Sequence, residues 1–250
     1  MRLKLVSCEV LYREICWGVA RSPHQVDVEF LPKALHDLGS KGMKEELQRV
    51  IDRSDPSRYD AVLMGYALCG NGLAGLKASH LPLVVPRAHD CITLLLGSRK
   101  RYADYIQDHP GVYFRSTGWI ERAAGLEPAG DQFFTVGKTG ITNNLEELIR
   151  KYGEENGRFL YEQFTSYQKS YRQLSYIETG LEPDDQFEKI ANREALQRGW
   201  SFEKLRGDLT LIQQLTSGIW PEEDFLVVQK GGQVKVNYSD QIIEAEYPSN

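Results

Sequence analysis

Apolar residues fall in short runs separated by stretches of helical spacing, most clearly over the first half of the chain. Leu3 to Val10 and Val26 to Leu31 read as strands, the second with Val26, Val28 and Phe30 on one face. Leu11 to Ala20 between them suits a helix, and Met43, Leu47, Val50 and Ile51 recur at helical spacing across Gly42 to Arg53. Tyr59 to Leu68 is a nearly continuous apolar run, as expected of a strand covered on both faces, and Leu81 to Pro86 is of the same kind. Asn71 to Ala78 predicts a short helix between them. A helical stretch within Thr93 to Gln107, a turn at Pro110-Gly111 and a strand at Val112 to Ser116 follow. Strands alternating with helices predict an α/β fold, a mainly parallel sheet with flanking helices.

The later pattern is similar. Leu145 to Tyr152 predicts a short, charged helix. Leu160, Phe164, Tyr167, Tyr171 and Leu174 recur at spacings of four, three, four and three, an amphipathic stripe whose ordinary use is core. Leu174 to Glu178 and Asp224 to Val228 read as strands, and Gln186 to Gln197 as a helix. Phe202 to Leu215 reads as a further helix with Leu205, Leu209, Ile212 and Leu215 apolar. Gly231-Gly232 turns the chain into Gln233 to Tyr238. These elements predict two α/β lobes around a cleft, residues 1–125 carrying the site and 126–250 covering it.

Composition narrows the classes. With 41% hydrophobic and 26% charged residues and mean hydropathy of −0.44, the 250-residue chain is of ordinary globular kind, not disordered or fibrous. Net charge is −5 with no basic cluster of the sort nucleic acid requires, so no nucleic-acid partner is expected. No run approaches the roughly 20 apolar residues of a membrane-spanning helix, and the N-terminal apolar run is too short for a signal peptide. A cytoplasmic protein with reduced thiols is the expectation. Its four cysteines, Cys8, Cys16, Cys69 and Cys91, all lie in the first 91 residues.

Those positions have a pattern. Strand one runs into Cys8-Glu9, the Tyr59–Leu68 strand into Cys69-Gly70-Asn71-Gly72, and the Leu81–Pro86 strand into Arg87-Ala88-His89-Asp90-Cys91. Parallel sheets bind ligands outside the carboxyl ends of their strands. Cys8, Cys69, His89 and Cys91 form a suitable zinc ligand set, with Glu9 and Asp90 as acid–base or supporting groups. An extended backbone would put His89 and Cys91 on one side and Asp90 on the other. Packing is the plain alternative for each cysteine, because free cysteine is often buried, and it is the preferred reading for Cys16. A third reading makes Cys69 a nucleophile activated by the amides of a following helix, with His89 as base.

Gly70, Asn71 and Gly72 open a G-x-G-x-x-G run ending at Gly75, with Asp90 18 residues beyond Gly72. In isolation that run is weak evidence for a dinucleotide. Gly70, Asn71 and Gly72 read better as backbone that approaches whatever the thiols bind. Arg99, Lys100 and Arg101 suit either an anionic ligand or a solvated helix face, and Trp119 either the cleft or the core.

Cys8-Glu9, Gly65-Tyr66-Ala67-Leu68-Cys69-Gly70-Asn71-Gly72, Arg87-Ala88-His89-Asp90-Cys91-Ile92, Gly97-Ser98 and Gly118-Trp119-Ile120-Glu121 together resemble the family known as domain of unknown function 1638. Gly207-Asp208-Leu209 and Asp224-Phe225-Leu226-Val227-Val228 extend the resemblance into the second half. The resemblance implies a setting near corrinoid-dependent methyl-transfer systems. The expectation is therefore a zinc–thiolate enzyme of methyl or one-carbon transfer, acting on a small molecule or a corrinoid protein. A non-catalytic protein that holds an iron–sulfur cluster, a metal or a corrinoid is the alternative from another class, and a metal-free cysteine enzyme is a third.

Overall fold

The computed structural model describes residues 1–122, 149–150, 153–154, 158, 171–237 and 239–248. Its main sheet is built from β1 (Arg2–Cys8), β2 (Gln25–Leu31), β3 (Ala61–Gly65) and β4 (Leu83–Pro86), with α1 (Tyr12–Arg21) and α2 (Gly39–Asp52) in the crossovers. The order is β2-β1-β3-β4, all pairs parallel, and β8 (Phe225–Val228) closes the far edge antiparallel to β4. Every residue of β3 is buried, which is why its run carries no polar alternation. The β1–β3 register runs from Leu3 opposite Ala61 to Ser7 opposite Gly65. A side chain at Gly65 would start 2.4 Å from Ser7 Oγ, so only glycine admits that serine.

A second sheet is wholly parallel, in the order β5 (Val112–Ser116), β6 (Gln173–Glu178), β7 (Ser201–Arg206). Tyr113, Leu174, Tyr176 and Phe202 lie on one of its faces and pack with Phe187, Ala191 and Ala195 of α6 (Gln186–Arg198). Phe114, Ile177 and Leu205 join the main core instead. One face of the small sheet is thus continuous with the interior of the large one. The hairpin of β9 (Gln233–Val236) and β10 (Ile243–Glu246) contributes Val234 and Ile243 to that same core.

Chain division and sheet division therefore differ. The expected boundary between 125 and 126 falls outside the described residues, and the strands cross it: β5 precedes it yet pairs with β6, while β8 follows it yet pairs with β4. The mainly parallel α/β architecture is as the pattern predicts.

Three elements depart from expectation. Residues 71–78 form turns, not a helix, because Cys69, Gly70, Asn71 and Gly75 all take positive φ (46°, 66°, 71° and 79°), which breaks helical continuity. The helix expected over 202–215 is β7 followed by α7 (Thr210–Thr216). Tertiary pairing overrides the spacing there: β6 offers a ladder, and Gly207 and Asp208 donate their N–H groups to the carbonyls of Glu178 and Leu95. The stretch at 93–107 divides into α3 (Cys91–Leu96) and α4 (Arg99–Asp108) at Gly97, whose φ of 70° ends the first helix. Most of the helix expected over 145–152, and the aromatic stripe from Leu160 to Tyr167, lie outside the described residues. Among the described residues no helix is long and apolar enough to cross a membrane.

Candidate functional site

Three carboxyl ends of neighbouring parallel strands do carry the three thiols. Cys8 is the last residue of β1 and is buried; Cys69 stands four residues past β3; Cys91 opens α3 and is buried. All are free thiols. Beyond the ends of β3 and β4, Leu68 N–H donates to the Ala88 carbonyl and Cys69 N–H to that of His89, each at 2.9 Å. Those two bonds continue the pairing of the strands and carry Cys69 alongside the His89–Cys91 segment.

Burial pushes all three thiols up: Cys8 to about 12, with the Glu9 charge adding to the effect and Lys33 opposing it. For Cys69 the charges of Cys8 and Asp90 add to burial, and for Cys91 those of Asp90, Cys69 and Cys8 do. Cys69 thus feels Cys8, and Cys91 feels both Cys69 and Cys8, which puts the three in one electrostatic environment. The indole N–H of Trp119 donates to Cys91 Sγ at 3.3 Å. Tyr66 lies in the same environment, its hydroxyl pushed up by burial and then by Cys8, Cys69 and Glu9. Tyr66 is 1% exposed, and its hydroxyl finds no hydrogen-bond partner among the described residues. A buried hydroxyl left unpaired is costly and calls for an explanation.

The remaining predicted residues are placed differently from one another. The His89 side chain is exposed, and its link to the thiols is its backbone carbonyl. The expected alternation, with His89 and Cys91 on one side, fails because the chain turns into α3 at residue 91. Asp90 causes that turn: its Oδ1 accepts the amides of Ile92 (3.0 Å) and Thr93 (3.4 Å) as helix cap, and its Oδ2 accepts the Tyr102 hydroxyl at 2.6 Å. Both oxygens are occupied, which fits a positioning role better than the acid–base role expected for it. Burial nonetheless raises the Asp90 carboxyl against those hydrogen bonds. Glu9 Oε1 accepts the Lys33 amide at 2.7 Å and so pins the segment after β2 to the end of β1.

Gly70 and Asn71 are exposed at the turn after Cys69, while Gly72 is buried against Met43, whose sulfur would lie 2.3 Å from an added side-chain carbon. With turns in place of a helix at 71–78, no helix starts directly after Cys69. This removes the structural premise of a dinucleotide fingerprint there and of activation of Cys69 by a helix that follows it. Among the described residues, no group of three His, Cys, Asp or Glu side chains stands close enough together to hold a metal ion as the side chains lie. The donor chemistry of three thiols suits a thiophilic metal, although as the side chains lie they do not close a shell.

Sequence reasoning missed part of this site. His36 is half-buried, its ring centroid 6.5 Å from that of Tyr66 and 6.4 Å from that of Trp119. Its Nδ1 is hydrogen-bonded to the Lys33 carbonyl at 3.0 Å, and burial lowers its basicity. The Lys33 ammonium lies 5.4 Å above the Trp119 ring. Both residues follow the carboxyl end of β2, so the strand-end rule, applied to all four parallel strands, would have found them.

Other candidates resolve into structure. Arg99 donates to the carbonyls of Asp240 and Glu223, Arg101 to those of Arg206 and Leu96, and Lys100 pairs with Asp104 at 2.6 Å. The basic run thus ties α4 to its neighbours and offers no anion site. Cys16 is exposed on α1, contrary to a packing role. Gly118 sits so close to the segment after β1 that an added side-chain carbon would lie 1.8 Å from the Val10 carbonyl oxygen, and this brings Trp119 to Cys91. Two cavities of ≈ 320 Å³ each lie away from the thiols, one lined by Trp17, Thr179, Asp208 and Gln213, the other by Tyr176, Glu178, Glu188 and Lys204.

No curated protein and no solved structure matches the chain. A family model described as "Protein of unknown function (DUF1638)" matches residues 30–216, a span that holds His36, Tyr66, Cys69, Asp90, Cys91 and Trp119 and leaves Cys8 outside. The match extends over most of the chain, which therefore belongs to the DUF1638 family.

Proposed function

We propose that Cys8, Cys69 and Cys91 hold a thiophilic divalent metal, zinc, at the carboxyl edge of the main sheet, in an enzyme of methyl or other one-carbon transfer. The observation that carries this reading is the convergence of three thiols, Cys8 and Cys91 buried and Cys69 partly buried, from three adjacent strands on one environment that also holds the unpartnered Tyr66 hydroxyl. Packing alone gives no reason for a buried hydroxyl to forgo a partner there. A bound group with an oxygen or sulfur acceptor supplies one.

Zinc in a thiolate site keeps its ligands deprotonated and activates a bound sulfur or oxygen as a Lewis acid. The chain's own residues supply the rest. Trp119 holds Cys91 by its indole N–H, Asp90 fixes the start of α3 and so the direction of Cys91, and Glu9 ties the β2 exit to Cys8. Tyr66 is placed to donate a proton in a hydrogen bond to a substrate atom. Gly70 and Asn71, exposed beside Cys69, let a substrate backbone or ring approach. A small molecule or a corrinoid protein is the partner that fits, in the cytoplasm, where such thiols stay reduced.

Elemental analysis of protein purified without oxygen tests this reading against Cys69→Ser and Cys91→Ser. Stoichiometric zinc in the wild type, lost in both variants, is expected. Absence of metal from the wild type overturns the reading, and a brown protein carrying iron replaces zinc with an iron–sulfur cluster.

A further inference from the structure

We infer that the substrate of this sheet edge carries a carboxylate, held by the Lys33 ammonium and the Tyr66 hydroxyl. This rests on the proposed reading of the edge as a substrate site and goes beyond it by naming the class of substrate.

Two donors without acceptors flank one strand end. β1 lies between β2 and β3, with Leu31 opposite Cys8 on one side and Gly65 opposite Ser7 on the other. Lys33 stands two residues beyond Leu31 and Tyr66 directly follows Gly65, so the pair brackets the end of β1. A chain of ring contacts joins them. The Lys33 ammonium lies 5.4 Å above the Trp119 ring, and the His36 ring centroid is 6.4 Å from that of Trp119 and 6.5 Å from that of Tyr66.

Lys33 is half-buried, and among the described residues its ammonium makes no ion pair and no hydrogen bond. Contact with an aromatic face leaves its N–H donors free. Glu9 spends one oxygen on the Lys33 main chain, whose amide it accepts at 2.7 Å. Burial and then the charge of Arg115 lower the basicity of Lys33, so the neighbouring charge that weighs most on it is another cation. Glu194 does not answer that cation for Lys33, because it receives Arg115 in two hydrogen bonds of 2.9 Å each. Tyr66 is 1% exposed, its hydroxyl has no partner, and burial keeps it protonated as a donor. An ammonium and a hydroxyl left together without an acceptor are costly. The two oxygens of one carboxylate accept both. A phosphate brings more oxygens than two donors match, and the Trp119 indole N–H, already given to Cys91, adds none.

Saturation-transfer NMR on the whole protein tests this with butyrate, its uncharged isostere butyramide, and inorganic phosphate as competitor. Butyrate should bind saturably and butyramide should not. Lys33→Gln should weaken butyrate binding about tenfold or more, Lys33→Arg should keep most of it, and Tyr66→Phe should weaken it by a smaller factor. No binding of butyrate, equal binding of butyramide, or an unchanged affinity in Lys33→Gln overturns the inference. Displacement of butyrate by phosphate at concentrations below the butyrate Kd also overturns it, in favour of a phosphate site. Zinc content of the same samples separates the two readings. Lys33→Gln that keeps the wild-type zinc content while losing butyrate is the expected result. Wild type that lacks zinc yet binds butyrate through Lys33 overturns the metal reading and leaves the carboxylate site standing.

Discussion

Asp90 shows how one residue can look catalytic in sequence and be architectural in the fold. Flanked by histidine and cysteine, it reads as an acid–base group, yet its two oxygens receive two helix amides and a tyrosine hydroxyl. Asp90→Ala should destabilise the protein by about 1–2 kcal/mol through loss of the cap. Denaturant unfolding checks this, and wild-type stability in that variant would contradict the capping role. Cys8, Cys69 and Cys91 were legible because each ends a strand-like run. The orientation of His89 was not, since a cap at residue 90 turns the chain and no local spacing announces it. His36 went unread because β2 carries no cysteine to draw attention to its end.

Glu14 is a second residue-scale case. It is 1% exposed on α1, its Oε1 accepts the Thr179 hydroxyl at 3.2 Å, and its Oε2 has no partner among the described residues. Burial pushes its carboxyl from 4.5 up to about 7. The folded protein therefore holds this proton more tightly than the unfolded chain does. The stabilisation is complete below pH 4.5 and is lost as pH rises through about 7. The loss amounts to about 3 kcal/mol over that window. Glu14→Gln should flatten the stability–pH curve between those values and be the more stable protein above pH 7. An unchanged slope would contradict the burial argument.

At the scale of elements, the site depends on how closely α5 (Thr117–Glu121) approaches the turn after β1. Arg13 of α1 grips Glu121 through two hydrogen bonds of 3.1 and 2.7 Å, and Gly118 makes the approach sterically possible. Gly118→Ala should cost about 3 kcal/mol or more, because backbone has to move. Gly70→Ala, at a φ of 66° but with open space around it, should cost only about 1–2 kcal/mol. Thermal melts of the two variants rank these effects, and equal losses would mean that crowding at Gly118 is relieved without consequence. The apolar runs of β1, β3 and β4 were legible from pattern alone. The strand at 201–206 was not: Phe202 and Leu205 face opposite cores, and their spacing of three mimics a helix.

For the whole molecule, the sequence order suggests a site lobe followed by a covering lobe, and the fold exchanges strands between them. Non-local pairing decides this: β8 returns to β4 across more than half the chain, and the small sheet shares a face with the main core. The carboxyl edges of β1, β3 and β4 stay together through that exchange, and the chain leaving them carries Cys8, Cys69 and Cys91. Whether those ends form one metal centre is the central claim. X-ray absorption at the zinc edge of protein purified without oxygen measures it directly. Three sulfur scatterers at about 2.3 Å are predicted. A shell of oxygen and nitrogen alone would contradict the account.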